Sequence, residues 1–254
     1  MRPYRPVFST MLGAMLALAC AGACAAPIFW TDWTGANLAN VGFQGQGSIS
    51  TNTVTIGVTY TNVQGVGFYD TGGGTDYWVG GAGSTSPYTS GAVDNRPTGS
   101  DIIALQYRGS QTLAFSQAIA NPVFAFVSLN GNGYAFDRDF DLLSLGGVDG
   151  NACGYWGCGG ASKVVVDLGG GVFEYQLNSN GGEPHGALQF KGAFDTLTWR
   201  SASNEYWNGF TVGVQGSADE VFPDDIPEPA SFALLALGLA ALGAALRRQN
   251  ADLV

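Results

Sequence analysis

Histidine occurs once in the 254-residue chain, as His185. A lone imidazole excludes two-histidine metal motifs and leaves a Ser-His-Asp arrangement only one base. No G-x-S-x-G elbow presents a serine to it, so Glu183 and His185, flanking the Pro184 turn, read as loop residues. Basic residues are also few: ten Lys and Arg stand against twenty Asp and Glu, for a net charge of −10. A chain this acidic repels phosphate backbones, which argues against nucleic acid as a partner. Helix signals are nearly absent between the two ends of the chain, and no repeat of fixed period occurs.

Long runs that are both uncharged and predominantly apolar are confined to the two ends. The first holds Arg2 and Arg5, an apolar stretch from about Met11 to Leu18, and small residues with Ala23 and Ala25 in A-x-A spacing before Ala26 and Pro27. That order predicts a secretory signal peptide over 1–26, exported by the Sec route and cut by signal peptidase near Ala25 or Ala26. Cys20 and Cys24 depart with it. At the other end no charge occurs from Ala230 to Leu246, close to the lower limit for a transmembrane helix. Arg247 and Arg248 follow at once, which places the C-terminus on the cytoplasmic side and the bulk of the chain outside. Pro227 and Pro229 mark where the preceding domain stops.

The tail Pro227-Glu228-Pro229-Ala230-Ser231, with its short Leu/Ala/Gly span and closing Arg247-Arg248 pair, resembles the PEP-CTERM sorting signal. The same kind of tail is sometimes labelled an ice-binding protein C-terminal domain, although the regular threonine repeats of an ice-binding face are missing here. The resemblance implies an exosortase that cuts near Pro-Glu-Pro after a transient stay in the inner membrane. It also implies release to the cell surface or exterior of a Gram-negative bacterium that makes extracellular polysaccharide. In the middle, FWTDWT, QTLAFSQAIANPVFAFVSLNG and EYWNGFTVGV resemble an exosortase-dependent surface-protein domain, which implies a β-sandwich and names no active site.

Residues 27–221 read as one all-β domain, ahead of a sorting tail over 222–254 with its span at 230–246. Val54, Ile56, Val58 and Tyr60 alternate with threonines, the period of a half-buried strand. Further strands are predicted from Ile102, Thr112, Val123, Lys163, Val172, Ala187, Thr196 and Phe210, separated by Gly/Asn clusters. Short strands at this spacing point to an antiparallel sandwich or jelly roll. The stretch from Gly72 to Gly99 reads as a long surface loop. Cys153 and Cys158 bracket Gly-Tyr-Trp-Gly; in an oxidising compartment a pair so spaced reads as a disulfide stapling the loop.

Two constellations suggest ligands. Asp137, Asp139 and Asp141 alternate in FDRDFDLL and on a strand would share one face, where Ca²⁺ would relieve their repulsion. The alternative is a solvated face with Arg138 pairing across the sheet. Six tryptophans, with Tyr77, Tyr155 and Tyr206, offer rings on which sugars can stack. Trp78 and Trp156, in glycine-rich loops, are expected to be exposed, whereas Trp199 alternates with Leu197 and belongs to the core. Acidic residues are numerous enough to furnish paired carboxylates for glycoside hydrolysis, but such pairs assemble only in the fold. The expectation is a non-enzymatic surface or matrix protein without a resident cofactor, calcium aside, whose partners are exosortase, signal peptidase and extracellular polysaccharide. The alternative is a carbohydrate-binding or carbohydrate-active module.

Overall fold

The computed structural model describes residues 25–37, 42–80, 85–222 and 239. The leader over 1–26 therefore lies almost wholly outside the described residues. So do Pro227, Glu228, Pro229, Arg247, Arg248 and nearly all of the span. Among the described residues, no helix is long and apolar enough to cross a membrane.

The described chain is all-β, built from two antiparallel sheets. The seven-stranded sheet follows the order β10 (Phe140–Leu145), β13 (Gly186–Phe190), β8 (Val123–Val127), β15 (Asn208–Val214), β6 (Ile102–Leu105) and β5 (Phe68–Asp70), with β1 (Phe29–Trp30) also pairing β15. The eight-stranded sheet runs β11 (Gly159–Gly169), β12 (Val172–Gly182), β9 (Gly133–Phe136), β14 (Ala193–Ser201), β7 (Gly109–Ala120), β4 (Thr55–Asn62), β3 (Phe43–Ser50) and β2 (Asp32–Asn37). Every strand predicted from alternation is present. In β4 the alternation does what its period demands: Ile56, Val58 and Tyr60 are buried while Thr55 is exposed.

Aromatic side chains fill the space between the sheets. Phe124 of β8 stacks on Phe210 of β15 at 4.9 Å, and Trp199 of β14 meets both rings edge-on from the opposite sheet. Such pairs contribute about 0.5–1.5 kcal/mol each beyond the area they bury. At the far end of the domain, a single turn of helix, α1 (Ala218–Val221), is closed by a capping box between Ser217 and Glu220. The Glu220 carboxylate also accepts hydrogen bonds from Thr51 and Thr53, tying this end to the β3–β4 turn.

The described parts of the segment from Gly72 to Gly99, residues 72–80 and 85–99, form a cover and not a free surface loop. β8 reads VFAFV and is buried at every position. Phe124 and Phe126 point into the sandwich, so Ala125 and Val127 face out and need covering. Trp78 and Tyr88 supply the cover: their rings meet edge-to-face at 5.2 Å and pack with Ala125 and Val127, and Val93 packs beside Val123. Trp78 is 0% exposed, its indole nitrogen donating to the Asp101 carbonyl at 3.1 Å. Its expected role as an exposed sugar platform is thereby corrected: a sheet apolar on both faces draws the loop's largest ring inward.

Candidate functional site

The connections leaving β8, β12 and β14 meet at one end of the sandwich, together with the loop between β10 and β11. That loop carries the Cys153–Cys158 disulfide, with a Cα–Cα distance of 4.7 Å. It is pressed against the β12–β13 connection, with Gly154 directly over the His185 ring. A cleft of about 280 Å³ opens here, walled by Trp156, Tyr206 and Trp207 and floored by Glu183, Glu205 and Asn130.

The walls are braced from behind. Trp156 meets Tyr155 edge-on at 4.9 Å, Tyr155 meets Tyr77 at 5.1 Å, and Tyr77 meets Trp207 at 5.0 Å. Trp207 also rests on Phe68 of β5 at 5.1 Å. Nevertheless Trp156 is 54% exposed and Tyr206 is 87% exposed. Trp156 is thus exposed as its loop position predicted, while Trp199 lies in the core.

Asn130 joins the two carboxylates of the floor. Its side-chain amide donates to Glu183 at 2.7 Å and its backbone N–H donates to Glu205 at 2.9 Å. Ser128 donates its hydroxyl to the other Glu183 oxygen, and Asn208 donates to the other Glu205 oxygen at 2.7 Å. Each of the four carboxylate oxygens therefore accepts from the protein. Burial pushes the Glu205 carboxyl up to about 7, with the Glu183 charge adding to the rise and the bonds from Asn208 and Asn130 opposing it.

Ser128 has a left-handed backbone, φ 57°, uncommon for a residue with a side chain. That turn aims its backbone N–H at His185 Nδ1, 3.3 Å away, while its hydroxyl goes to Glu183. Nδ1 is thus an acceptor and the imidazole proton resides on Nε2, which is buried and unpartnered among the described residues. The serine proton points to a carboxylate and the histidine is fully buried, so the two do not form a nucleophile–base relay.

The three aspartates do not share a strand face. FDRDF is the corner at which the chain passes from β9 in one sheet to β10 in the other, with Phe136 and Phe140 both buried and 5.6 Å apart. Asp137 turns to Thr198, accepting from its hydroxyl at 2.7 Å. Asp139 pairs with Lys163 and Lys191, and Asp141 pairs with Lys191 at 3.0 Å. Two lysines supply the counter-charge that the sequence pattern assigned to calcium. Among the described residues, no group of three or more His, Cys, Asp or Glu side chains is placed to hold a metal ion. Arg138 lies 4.2 Å over the Phe194 ring and donates to the Thr196 carbonyl, so it reaches across to β14, and among the described residues it meets no carboxylate.

The sequence reading missed the Glu183–Glu205 pair. Both were visible only as single acids in turns, and the residue that joins them, Asn130, comes from a third loop. A local signal did exist in Glu205-Tyr206-Trp207, where an acid stands directly before two large aromatics at a strand entry.

Beyond the folded domain, the comparison with known families is decisive for the tail. The PEP-CTERM protein-sorting motif matches residues 225–249. The motif implies export, processing by an exosortase, and a place at the cell surface or outside a Gram-negative bacterium. It begins a few residues after α1, so the sandwich is the part that reaches the exterior. No curated protein and no solved structure matched the chain.

Proposed function

We propose that this chain is a non-enzymatic surface or matrix protein that associates with extracellular polysaccharide. A signal peptide over 1–26 takes it out by the Sec route, the span at 230–246 holds it briefly in the inner membrane, and processing near Pro227-Glu228-Pro229 frees it. The observation that carries this reading is the sorting motif set directly behind a folded domain that displays large aromatic rings. Arg247 and Arg248 keep the last residues on the cytoplasmic side until processing.

A carbohydrate-active module is the competing reading, and the Glu183–Glu205 pair is the observation in its favour. A glycosidase needs one carboxyl free to protonate the leaving oxygen and another free to attack or to activate water. Here all four oxygens are held by protein donors, an arrangement better suited to fixing loops and accepting hydroxyls. The test is routing and turnover together. Changing Pro227, Glu228 and Pro229 to alanine should retain the protein in the inner membrane, and the wild-type protein should release no reducing ends from polysaccharide. Unchanged release of the triple variant into the medium would overturn the exosortase route, and steady turnover would replace the non-enzymatic reading by the catalytic one.

A further inference from the structure

We propose that the cleft between Trp156, Tyr206 and Trp207 binds a chain of uncharged hexopyranose units. This deepens the polysaccharide reading above, and rests on it, by naming the site and the chemistry of the ligand. A pyranose ring has an apolar C–H face and a rim of hydroxyls, so its receptor needs flat apolar rings beside fixed polar groups. Folding ordinarily hides large aromatic rings, yet Trp156 and Tyr206 are displayed at 54% and 87% exposure. Trp156 and Trp207 are already held by Tyr155, Tyr77 and Phe68, so stacking a sugar on them requires little further ordering.

The floor complements the walls. Each oxygen of Glu183 and Glu205 accepts one protein hydrogen bond and retains acceptor capacity for a second. Sugar hydroxyls are the donors that suit it. The Glu183 carboxylate, on a chain of net charge −10, repels uronate, sulfate and phosphate groups. Uncharged sugars are therefore favoured over acidic ones. Tyr206 and Trp207 also wall a second cleft of about 220 Å³ with Phe68 and Gln106. Sugar units seated in the two clefts would share the same pair of rings, which fits a polymer better than a single sugar.

The test uses the exported protein, collected from the medium, in co-sedimentation and tryptophan-fluorescence titrations. The probes are neutral polymers (glucan, mannan, galactan), acidic alginate, and the polysaccharide secreted by the producing cells. At least one neutral polymer should bind about tenfold or more tightly than alginate. Tyr206→Ala and Trp156→Ala should each weaken that binding about tenfold. The melting temperature should be unchanged in Tyr206→Ala, whose ring is 87% exposed, and fall by no more than a few degrees in Trp156→Ala, which also loses its edge-on contact with Tyr155. Equal binding by wild type and both variants would overturn the cleft while leaving the polysaccharide reading intact. A preference for alginate would overturn the selectivity for uncharged sugars. Failure of the wild type to bind any of these polymers would overturn both the cleft and the reading beneath it.

Discussion

Gly154 lies against the face of the His185 imidazole so closely that a Cβ on it would fall 2.1 Å from the ring's Cγ. No side chain fits there, and the contact presses the disulfide loop onto the loop that carries Glu183. Gly154→Ala must therefore shift either loop or ring. Overpacking of this kind costs about 1–3 kcal/mol. In a domain of this size each kcal/mol lowers the melting temperature by about 2–4 °C. Thermal denaturation of the variant checks it, and an unchanged midpoint would show that the loop is free to move.

The same burial gives His185 a pH signature. Desolvation pushes its imidazole down to about 4, against an ordinary value near 6.5. The unfolded chain therefore takes up this proton before the folded one does. The His185 contribution to stability is complete above pH 6.5 and is lost as pH falls toward 4, at up to about 1.4 kcal/mol per pH step. Asp101 and Glu205 act in the opposite sense: burial pushes their carboxyls up to about 6 and about 7, so their contributions are lost as pH rises through those values. Comparing wild type with His185→Asn separates the two. The variant should gain stability relative to wild type between pH 6.5 and 4, as read from denaturant midpoints. Parallel curves would contradict the depressed imidazole.

Cys153 and Cys158 close a short loop that presents Trp156 at its tip. On chain-entropy reasoning the bond contributes about 2 kcal/mol. Mass spectrometry without reductant should find the two cysteines joined within one chain. Changing both to serine should lower the melting temperature and, because Trp156 loses its brace, weaken polysaccharide binding as well. Free thiols in freshly exported protein would count against the bond.

At the β9–β10 corner, Asp139 is held by Lys163 and Lys191. Partial burial raises its carboxyl pKa, but the hydrogen bond and charge of Lys163 and the charge of Lys191 outweigh that and leave it lowered. With two ammonium groups already in place, added calcium gains no vacant carboxylate cluster. The melting temperature should be indifferent to millimolar Ca²⁺ and to chelator, and Asp139→Asn should cost no more than about 1 kcal/mol. A calcium-dependent rise in the wild type that vanishes in Asp139→Asn would restore the cation site.

Alternation was enough to place β4 and the strands from Thr112 and Thr196, because a half-buried strand writes its two faces into successive residues. The strands from Lys163, Val172 and Ala187 were also found, and β6, β8 and β15, buried at every position, were legible as short apolar runs bounded by turn residues. It passed over β3, FQGQGSIS, whose glycines and glutamines carry little apolar contrast although Phe43 and Ile49 are buried. It also passed over β9 and β5, which are too short to show a period. In FDRDFDLL it found a true period with the wrong meaning: the aspartates alternate, but a corner between sheets divides them. Of the cleft, Trp156 was legible from its place in a glycine-rich loop. Glu183 and Glu205 were not, since only the meeting of three connections makes them a pair.

The sequence by itself determined the strand faces, the disulfide spacing and the sorting tail, all of which rest on residues near one another in the chain. Only the tertiary structure decided which face of β8 needed a cover, and so drew Trp78 inside. It also decided which lysines reach Asp139, and which loops bring Asn130 to both glutamates. Those outcomes depend on contacts between segments far apart in sequence, and burial, ion pairing and hydrogen bonding are settled only once such segments share a surface.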